Sequence, residues 1–405
     1  MSDRRSQIRG IARHGRLRRN GPVRAVITVL AAGLSVLLVS TIAVAGIAVW
    51  QVSSRVADNA INIGGVDEAA PPPNLGAFES GFCILIVGAD NDADQGLAYG
   101  ERDATLNDVN ILVHVSADHS NAVVVSIPRD LIVAHPECTN ADTGEVFGAM
   151  SAAPINEAMA RGGLPCVVAT VEGLTNLDVP YAGLTSFKGV VQMSDAIGGV
   201  PICLTEAIDD PLADLNLPAG PSVVSGEEAL GFLRSRKGVG DGSDLARISS
   251  QQIYLASLMR TVQSDGTLTD VSKLYGLANA ASANIRLSTS LARTDTMVSM
   301  AMALKDLDLE RLVFVQYPGT TDDPNFPGKV VPTQYLADEL FGKIAADVPF
   351  SLTPAVPAEE PVEAAPPVDA PEGAVPPEAV EAAPEAIDGL TGRTAGDESC
   401  AQAAG

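Results

Sequence analysis

Residues 109–129 read Val-Asn-Ile-Leu-Val-His-Val-Ser-Ala-Asp-His-Ser-Asn-Ala-Val-Val-Val-Ser-Ile-Pro-Arg. An apolar, β-branched run extends to Ser116, a polar stretch breaks it, and a second run covers Ala122–Ile127 before Pro128-Arg129 closes it. Runs of this length and composition between turn-forming residues predict buried strands. Upstream, Cys83–Gly88 has the same character. Downstream, helical patterns at Ala153–Arg161, Cys166–Leu174 and Lys188–Ile197 are interleaved with strands at Tyr181–Thr185 and Val200–Leu204. Ser225 and Glu228 have the spacing of a capping box for a helix reaching about Arg236, and an amphipathic helix runs from about Asp244 to Val262. Residues 270–349 continue with helices near 290–304 and 332–346 and a strand at Arg311–Gln316. This alternation predicts an α/β fold, an α/β/α sandwich around a largely buried mixed sheet.

The flanks of that region are unlike it. Residues 1–24 carry eight Arg and one Asp, and Ala25 to Trp50 is an uncharged run of 26 residues. Roughly 20 apolar residues suffice to span a bilayer, and a signal-peptide core is only about 7–15. The expectation is a basic cytoplasmic arm (1–24), one uncleaved transmembrane helix (25–50) and a short stalk (51–77). The Arg-rich flank orients it with the N-terminus cytoplasmic and the rest outside. From about Pro354 to Glu398 there are nine Pro and eleven acidic residues with one Arg, which predicts a disordered tail over 351–405.

Of 26 basic and 50 acidic side chains, removing the arm's eight and one leaves 18 against 49, a net charge of −31. So acidic a surface excludes nucleic acid as a partner. Against this background residues 234–252 stand out. Arg234, Arg236 and Lys237 end one helix, a Gly-rich turn follows, and Asp244, Arg247 and Gln251 open the next. Arg recognises phosphate through a planar, bidentate fork, so three convergent arginines point to an anion site more than to cations solvating a helix end. Asp90, after the strand Cys83–Gly88, and Asp108, before the next, offer hard oxygen ligands suited to Mg²⁺ or Mn²⁺. Arg129 follows the strand after that. His114, His119 and His135 show no metal-ligand spacing. Of the five cysteines, Cys138 and Cys166 flank a loop and a helical pattern and are expected to form a disulfide. Cys83 and Cys203 lie in apolar runs as buried thiols, and Cys400 lies in the tail.

Ile84–Asp90, Asp108–Val115, Ser126-Ile127-Pro128-Arg129-Asp130, Ile155-Asn156-Glu157-Ala158 with Gly162-Gly163, Asp195–Val200 and Leu233–Gln252 resemble, in order, the successive motifs of the LytR–CpsA–Psr family, in its actinobacterial type. The resemblance covers about Phe82 to Val262 and, more loosely, an extracytoplasmic domain over 78–350. It implies a membrane-anchored phosphotransferase that moves a glycopolymer from a polyprenyl-pyrophosphate carrier to a cell-wall acceptor, a peptidoglycan hydroxyl or a surface protein, through a phosphodiester. It also implies that Arg129, Arg234, Arg236, Arg247 and Gln251 hold the pyrophosphate and that Asp244 orients an arginine. Asp90 and Asp108 would hold the cation or assist the hydroxyl. Leu106 and Ser250 stand where many members carry Arg. A non-catalytic envelope scaffold and a lipid-linked-sugar pyrophosphatase are the alternatives.

Overall fold

The computed structural model describes residues 22–64, 81–89, 105–140, 143–236, 244–264, 271–305, 307–352 and 384–401. Two compact units divide at Gln51–Val52. The first holds most of helix α1 (Pro22–Asp58), which among the described residues is the helix long and apolar enough to cross a membrane. Its helical geometry continues past Trp50, so the expected stalk begins as helix.

The second unit is built on a seven-stranded mixed sheet. Its strands are β1 (Phe82–Ala89), β2 (Asn107–Val115), β3 (Ala122–Ile127), β4 (Tyr181–Thr185), β5 (Ile285–Leu287), β6 (Leu312–Gln316) and β7 (Gly392–Thr394), in the order β5-β4-β1-β2-β3-β6-β7. β2 is antiparallel to β1 and β3, whereas β4 runs parallel to β1 and β6 parallel to β3. The C-terminal ends of β1, β3 and β4 therefore share one edge of the sheet with the start of β2. Alternation divides the strands between two cores. Leu85, Val87, Val123, Val125 and Ile127 pack into one, against α2 (Ala158–Thr175) and the helix Gln334–Ala345. Phe82, Ile111 and Val124 pack into the other, with Ala256 and the helix Thr294–Lys305. All six residues of β3 are buried, as a strand covered on both faces requires. A third core joins Val200, Ile202, Phe232, Ile253 and Tyr254 around α3 (Phe187–Ile197), α4 (Gly226–Arg234) and α5 (Asp244–Gln263). The α/β/α sandwich is the observed fold.

Several details depart from the expectations. The helical pattern expected at 153–161 starts later, because Met150–Pro154 is a strand and Ile155–Glu157 a 3-10 turn. α2 begins at Ala158, and non-helical backbone at Gly162 and Gly163 separates its short first part from the helix through Cys166, as the two patterns predict. Gly163 has φ +66°, and a Cβ on Gly162 would lie 2.9 Å from the Cys166 Cβ, so both positions require glycine. Ser225 caps α4 by its backbone conformation alone, without the expected side-chain hydrogen bond. The tail is not disordered throughout. Residues 353–383 lie outside the described part, but Ile387, Leu390, Ala395 and Ala401 are buried, and β7 pairs with β6. A composition averaged over 50 residues hides these few apolar anchors. Nor is Cys203 a thiol: it is bonded to Cys400, 197 residues away. Cys138 and Cys166 form the other disulfide.

Cys83 is free and buried, its pKa pushed up to about 12 chiefly by burial. Its sulfur lies 3.3 Å from His114 Nδ1, and His114 Nε2 is 2.7 Å from Asp347, which ties the sheet to the end of the helix Gln334–Ala345.

Peptide mapping without reduction should recover Cys138–Cys166 and Cys203–Cys400 together with one blocked-thiol site at Cys83. Closing so long a loop stabilises by about 5 kcal/mol on the chain-entropy model. Cys203→Ser should therefore lower the melting temperature substantially more than Cys83→Ser.

Candidate functional site

The shared sheet edge carries Asp108 at the start of β2, Arg129 two residues beyond β3, and Phe187 at the first turn of α3 after β4. α4 and α5 bring Arg234, Arg236, Arg247 and Gln251 to the same place. Together with Val109 and Leu233 these residues line a pocket of about 300 Å³. The strands fix positions along the edge, and the helix ends supply the long cationic side chains.

Behind the arginines lies one carboxylate. Asp244, 9% exposed at its side chain, places Oδ1 2.7 Å from Arg247 Nη2, 3.3 Å from Arg236 Nη2 and 3.8 Å from Arg129 Nε. The Arg247 pair is an i,i+3 contact in the first turn of α5, where helical geometry stacks the two side chains. A carboxylate at a helix N-terminus is also favoured by the helix dipole. Asp244 Oδ2 is buried and has no hydrogen-bond partner.

The other contacts order the rest of the cluster. Arg129 Nη1 donates to Asp108 Oδ1 at 2.6 Å, and its Nε lies 3.4 Å from Asp130 Oδ2. Arg247 Nη2 also donates to the Asp108 main-chain carbonyl at 3.1 Å. Gln251 Nε2 donates to the Leu233 carbonyl at 3.0 Å, so it pins α4 to α5 rather than pointing a free amide at a ligand. The Arg234 guanidinium lies 4.6 Å from the centroid of the Phe187 ring, a cation–π distance.

The electrostatics of this cluster are one-sided. Burial lowers the Arg247 pKa from its ordinary value; Asp244 opposes that, while Arg236 and Arg129 add to it. For Arg129 burial acts downward too, but Asp108, Asp130 and Asp244 outweigh it and the pKa is raised. All four guanidiniums remain charged at neutral pH. Arg129, Arg236, Arg247 and Lys329 stand against Asp108, Asp130 and Asp244, which leaves an excess of positive charge inside a strongly acidic chain, and an anion in the pocket would neutralise it.

The structure thus brings together Asp108, Arg129, Arg234, Arg236, Asp244, Arg247 and Gln251. Asp90 lies outside the described residues. Sequence reading missed Phe187, Val109 and Leu233, whose apolar character carries no functional signal. It also missed Asp130 and Lys329, an ion pair of 2.6 Å that backs Arg129. Asp130, next to Arg129 in the chain, was the readable half of that pair. Among the described residues no group of three or more His, Cys, Asp or Glu side chains is placed to hold a metal ion.

The profile of the LytR_cpsA_psr family matches residues 57–339, more than half of the chain. The chain belongs to this family. Within it, the cell wall biosynthesis protein LcpA of Corynebacterium glutamicum is 32% identical over 265 residues, covering 59% of this chain and 50% of that protein. TagT of Bacillus subtilis, named a polyisoprenyl-teichoic acid–peptidoglycan teichoic acid transferase, is 24% identical over 58% of this chain and 69% of its own. The chain spans about half the length of the Corynebacterium relatives it matches. Among solved structures, protein gbs0355 of Streptococcus agalactiae has the same fold, with a TM-score of 0.52 at 20% identity over 66% of this chain and 88% of that one. TagT bound to LIIa-WTA gives a TM-score of 0.50 at 20% identity, over 70% and 98%.

Asp130 titrates below the ordinary carboxylate range. Burial acts to raise it, but the Lys329 hydrogen bond and Arg129 prevail. A depressed folded-state pKa contributes stability that is complete above the unfolded value of about 3.9 and is lost as pH falls through the folded one. The melting-temperature difference between wild type and Asp130→Asn should be constant near neutrality and close below about pH 4. Breaking the buried cluster by Asp244→Ala should cost about 3–5 kcal/mol in unfolding experiments, because it leaves desolvated guanidiniums without their counter-charge.

Proposed function

We propose that this protein is a membrane-anchored transferase. In this reading it moves a glycopolymer from a polyprenyl-pyrophosphate carrier to a peptidoglycan hydroxyl of the cell wall, leaving a phosphodiester. The observation that carries the reading is the convergence of Arg129, Arg236 and Arg247 on one buried carboxylate at the wall of an arginine-lined pocket. Asp244 would hold these guanidiniums in place, and their remaining N–H groups would bind the ligand. Such a fork-rich pocket matches the oxygens of a pyrophosphate. The names of LcpA and TagT agree with work on the cell wall.

Phosphoryl transfer depends mainly on positioning and on charge stabilisation, so no covalent nucleophile is required. The acceptor hydroxyl would attack the phosphorus on the glycopolymer side, and its bond to the bridging oxygen would break, releasing the lipid as a monophosphate. Arg129, Arg236 and Arg247 would stabilise the charge that develops on the equatorial and leaving oxygens. In this reading Asp108, held by Arg129, would accept the proton of the hydroxyl.

Mg²⁺ or Mn²⁺ would be held only together with the substrate. Asp108 is one described carboxylate, Asp90 would be the second, and phosphate oxygens would complete the shell, as is usual for Mg²⁺. Bound there, the cation would neutralise phosphate charge. The apolar helix α1 would anchor the enzyme with its N-terminus in the cytoplasm and the sheet domain outside, where a lipid-bound donor and the wall meet.

Incubating the full chain in detergent with a polyprenyl-pyrophosphate sugar and peptidoglycan should give acceptor-linked sugar. Arg247→Ala should lower the rate about a hundredfold or more, the equivalent of roughly 2–4 kcal/mol of transition-state stabilisation. Arg247→Lys should recover little, because an ammonium lacks the bidentate fork. Wild-type rates in a folded Arg247→Ala protein would refute the reading, and phosphate release without an acceptor would mark a hydrolase instead.

A further inference from the structure

Asp210 lies outside the pocket, at the end of the strand Ile208–Asp210, which pairs with Leu215–Leu217 in a small hairpin. It is a carboxylate only 2% exposed, without an Arg or Lys ion pair among the described contacts. Its partners are instead hydrogen-bond donors: Ser235 Oγ gives a bond to Oδ2 at 2.8 Å, and the Leu212 N–H gives one to Oδ1 at 3.1 Å. The main-chain N–H of Arg236 donates to the same carboxylate, and these bonds outweigh burial to hold its pKa below the ordinary range.

Two of these donors belong to consecutive residues of the arginine segment. Ser235 ends α4 with φ −58° and ψ 132°, so the chain leaves the helix in an extended conformation. The fully buried Ser235 hydroxyl turns onto Asp210, while the arginines on either side of it line the pocket. Arg234 then meets the Phe187 ring, and Arg236 reaches Asp244.

The support under this arrangement is rigid. A Cβ on Gly231 would lie 2.9 Å from the Ala213 carbonyl oxygen and 3.3 Å from Leu215 Cδ1, so α4 sits directly on the hairpin that carries Asp210. A carboxylate beside the C-terminus of a helix is disfavoured by the helix dipole.

We propose that Asp210 is a positioning residue that sets the Arg234 and Arg236 side chains for an anionic diphosphate ligand. This rests on the pyrophosphate reading of the pocket. Asp210 touches no ligand and acts by fixing the main chain between the two arginines.

The test is calorimetric titration of the full-length protein with inorganic pyrophosphate, well below the melting temperature. Wild type is measured first, and failure to bind overturns the pyrophosphate reading and this proposal with it. Given wild-type binding, Asp210→Asn should weaken affinity about tenfold, the loss expected when hydrogen bonds to a charged group are removed. Ser235→Ala, which takes away one donor and spares the carboxylate, should give a several-fold loss and serves if Asp210→Asn fails to fold. In a background of Arg234→Ala with Arg236→Ala, neither change should weaken binding further, because a residue acting through those side chains has nothing left to position. Wild-type affinity in folded Asp210→Asn or Ser235→Ala protein, or an undiminished loss in the background lacking Arg234 and Arg236, would overturn the assignment of Asp210 while leaving the pyrophosphate reading in place.

Discussion

The Asp244 carboxylate, buried against the guanidiniums of Arg247, Arg236 and Arg129, holds the candidate site in shape. Without it those cations would repel one another in a poorly solvated place, and the helix ends that carry them would separate. Asp108 and Asp130 add their charges at Arg129, yet with Lys329 present the cations still outnumber the carboxylates, so the arrangement is balanced only in part. The lowered pKa of Arg247 reflects that imbalance: burial and two neighbouring arginines work against its charge. A pocket built in this way has its cations held by protein carboxylates and retains positive charge.

The sheet makes such a cluster affordable in conformational terms. Asp108, Arg129 and Phe187 sit at the edge where β1, β3 and β4 end and β2 begins, so three of the pocket walls are fixed by backbone hydrogen bonds. Ligand sites of open α/β sheets fall outside the carboxyl ends of the strands for this reason. α4 and α5 then need only cross that edge, and Gln251 clamps them together through the Leu233 carbonyl. For the proposed reaction, donors placed in advance in this way would leave little reorganisation to accompany the chemistry.

Long-range closure completes the domain. β7 pairs with β6 at the sheet edge, and Cys400 is bonded to Cys203 in the strand Val200–Leu204, whose neighbour Leu204 bridges Ala401. Covering an edge strand in this way removes a row of unpaired backbone groups that would otherwise invite aggregation. The disulfide joins this cover to the third core, the same core on which α4 and the Asp210 hairpin rest.

The sequence by itself determined the layered α/β fold, because strand runs such as Ala122–Ile127 and helical periods such as 244–262 are local patterns that burial converts directly into structure. It also determined the arginine cluster, since Arg234, Arg236 and Arg247 are close in the chain, and an acidic background makes them conspicuous. The pairing of Cys138 with Cys166 was legible from a short loop. What only the tertiary structure decided are the contacts between residues distant in sequence: Arg129 with Asp108 and Asp244, Arg234 with Phe187, Ser235 with Asp210, and Cys203 with Cys400. No local pattern encodes these, because each depends on where crossing elements bring two chains of side-chain atoms together. The burial of Ile387 and Leu390 within a tail of Pro, Ala and Glu was hidden for the same reason, since composition averages over a segment and packing acts on single residues.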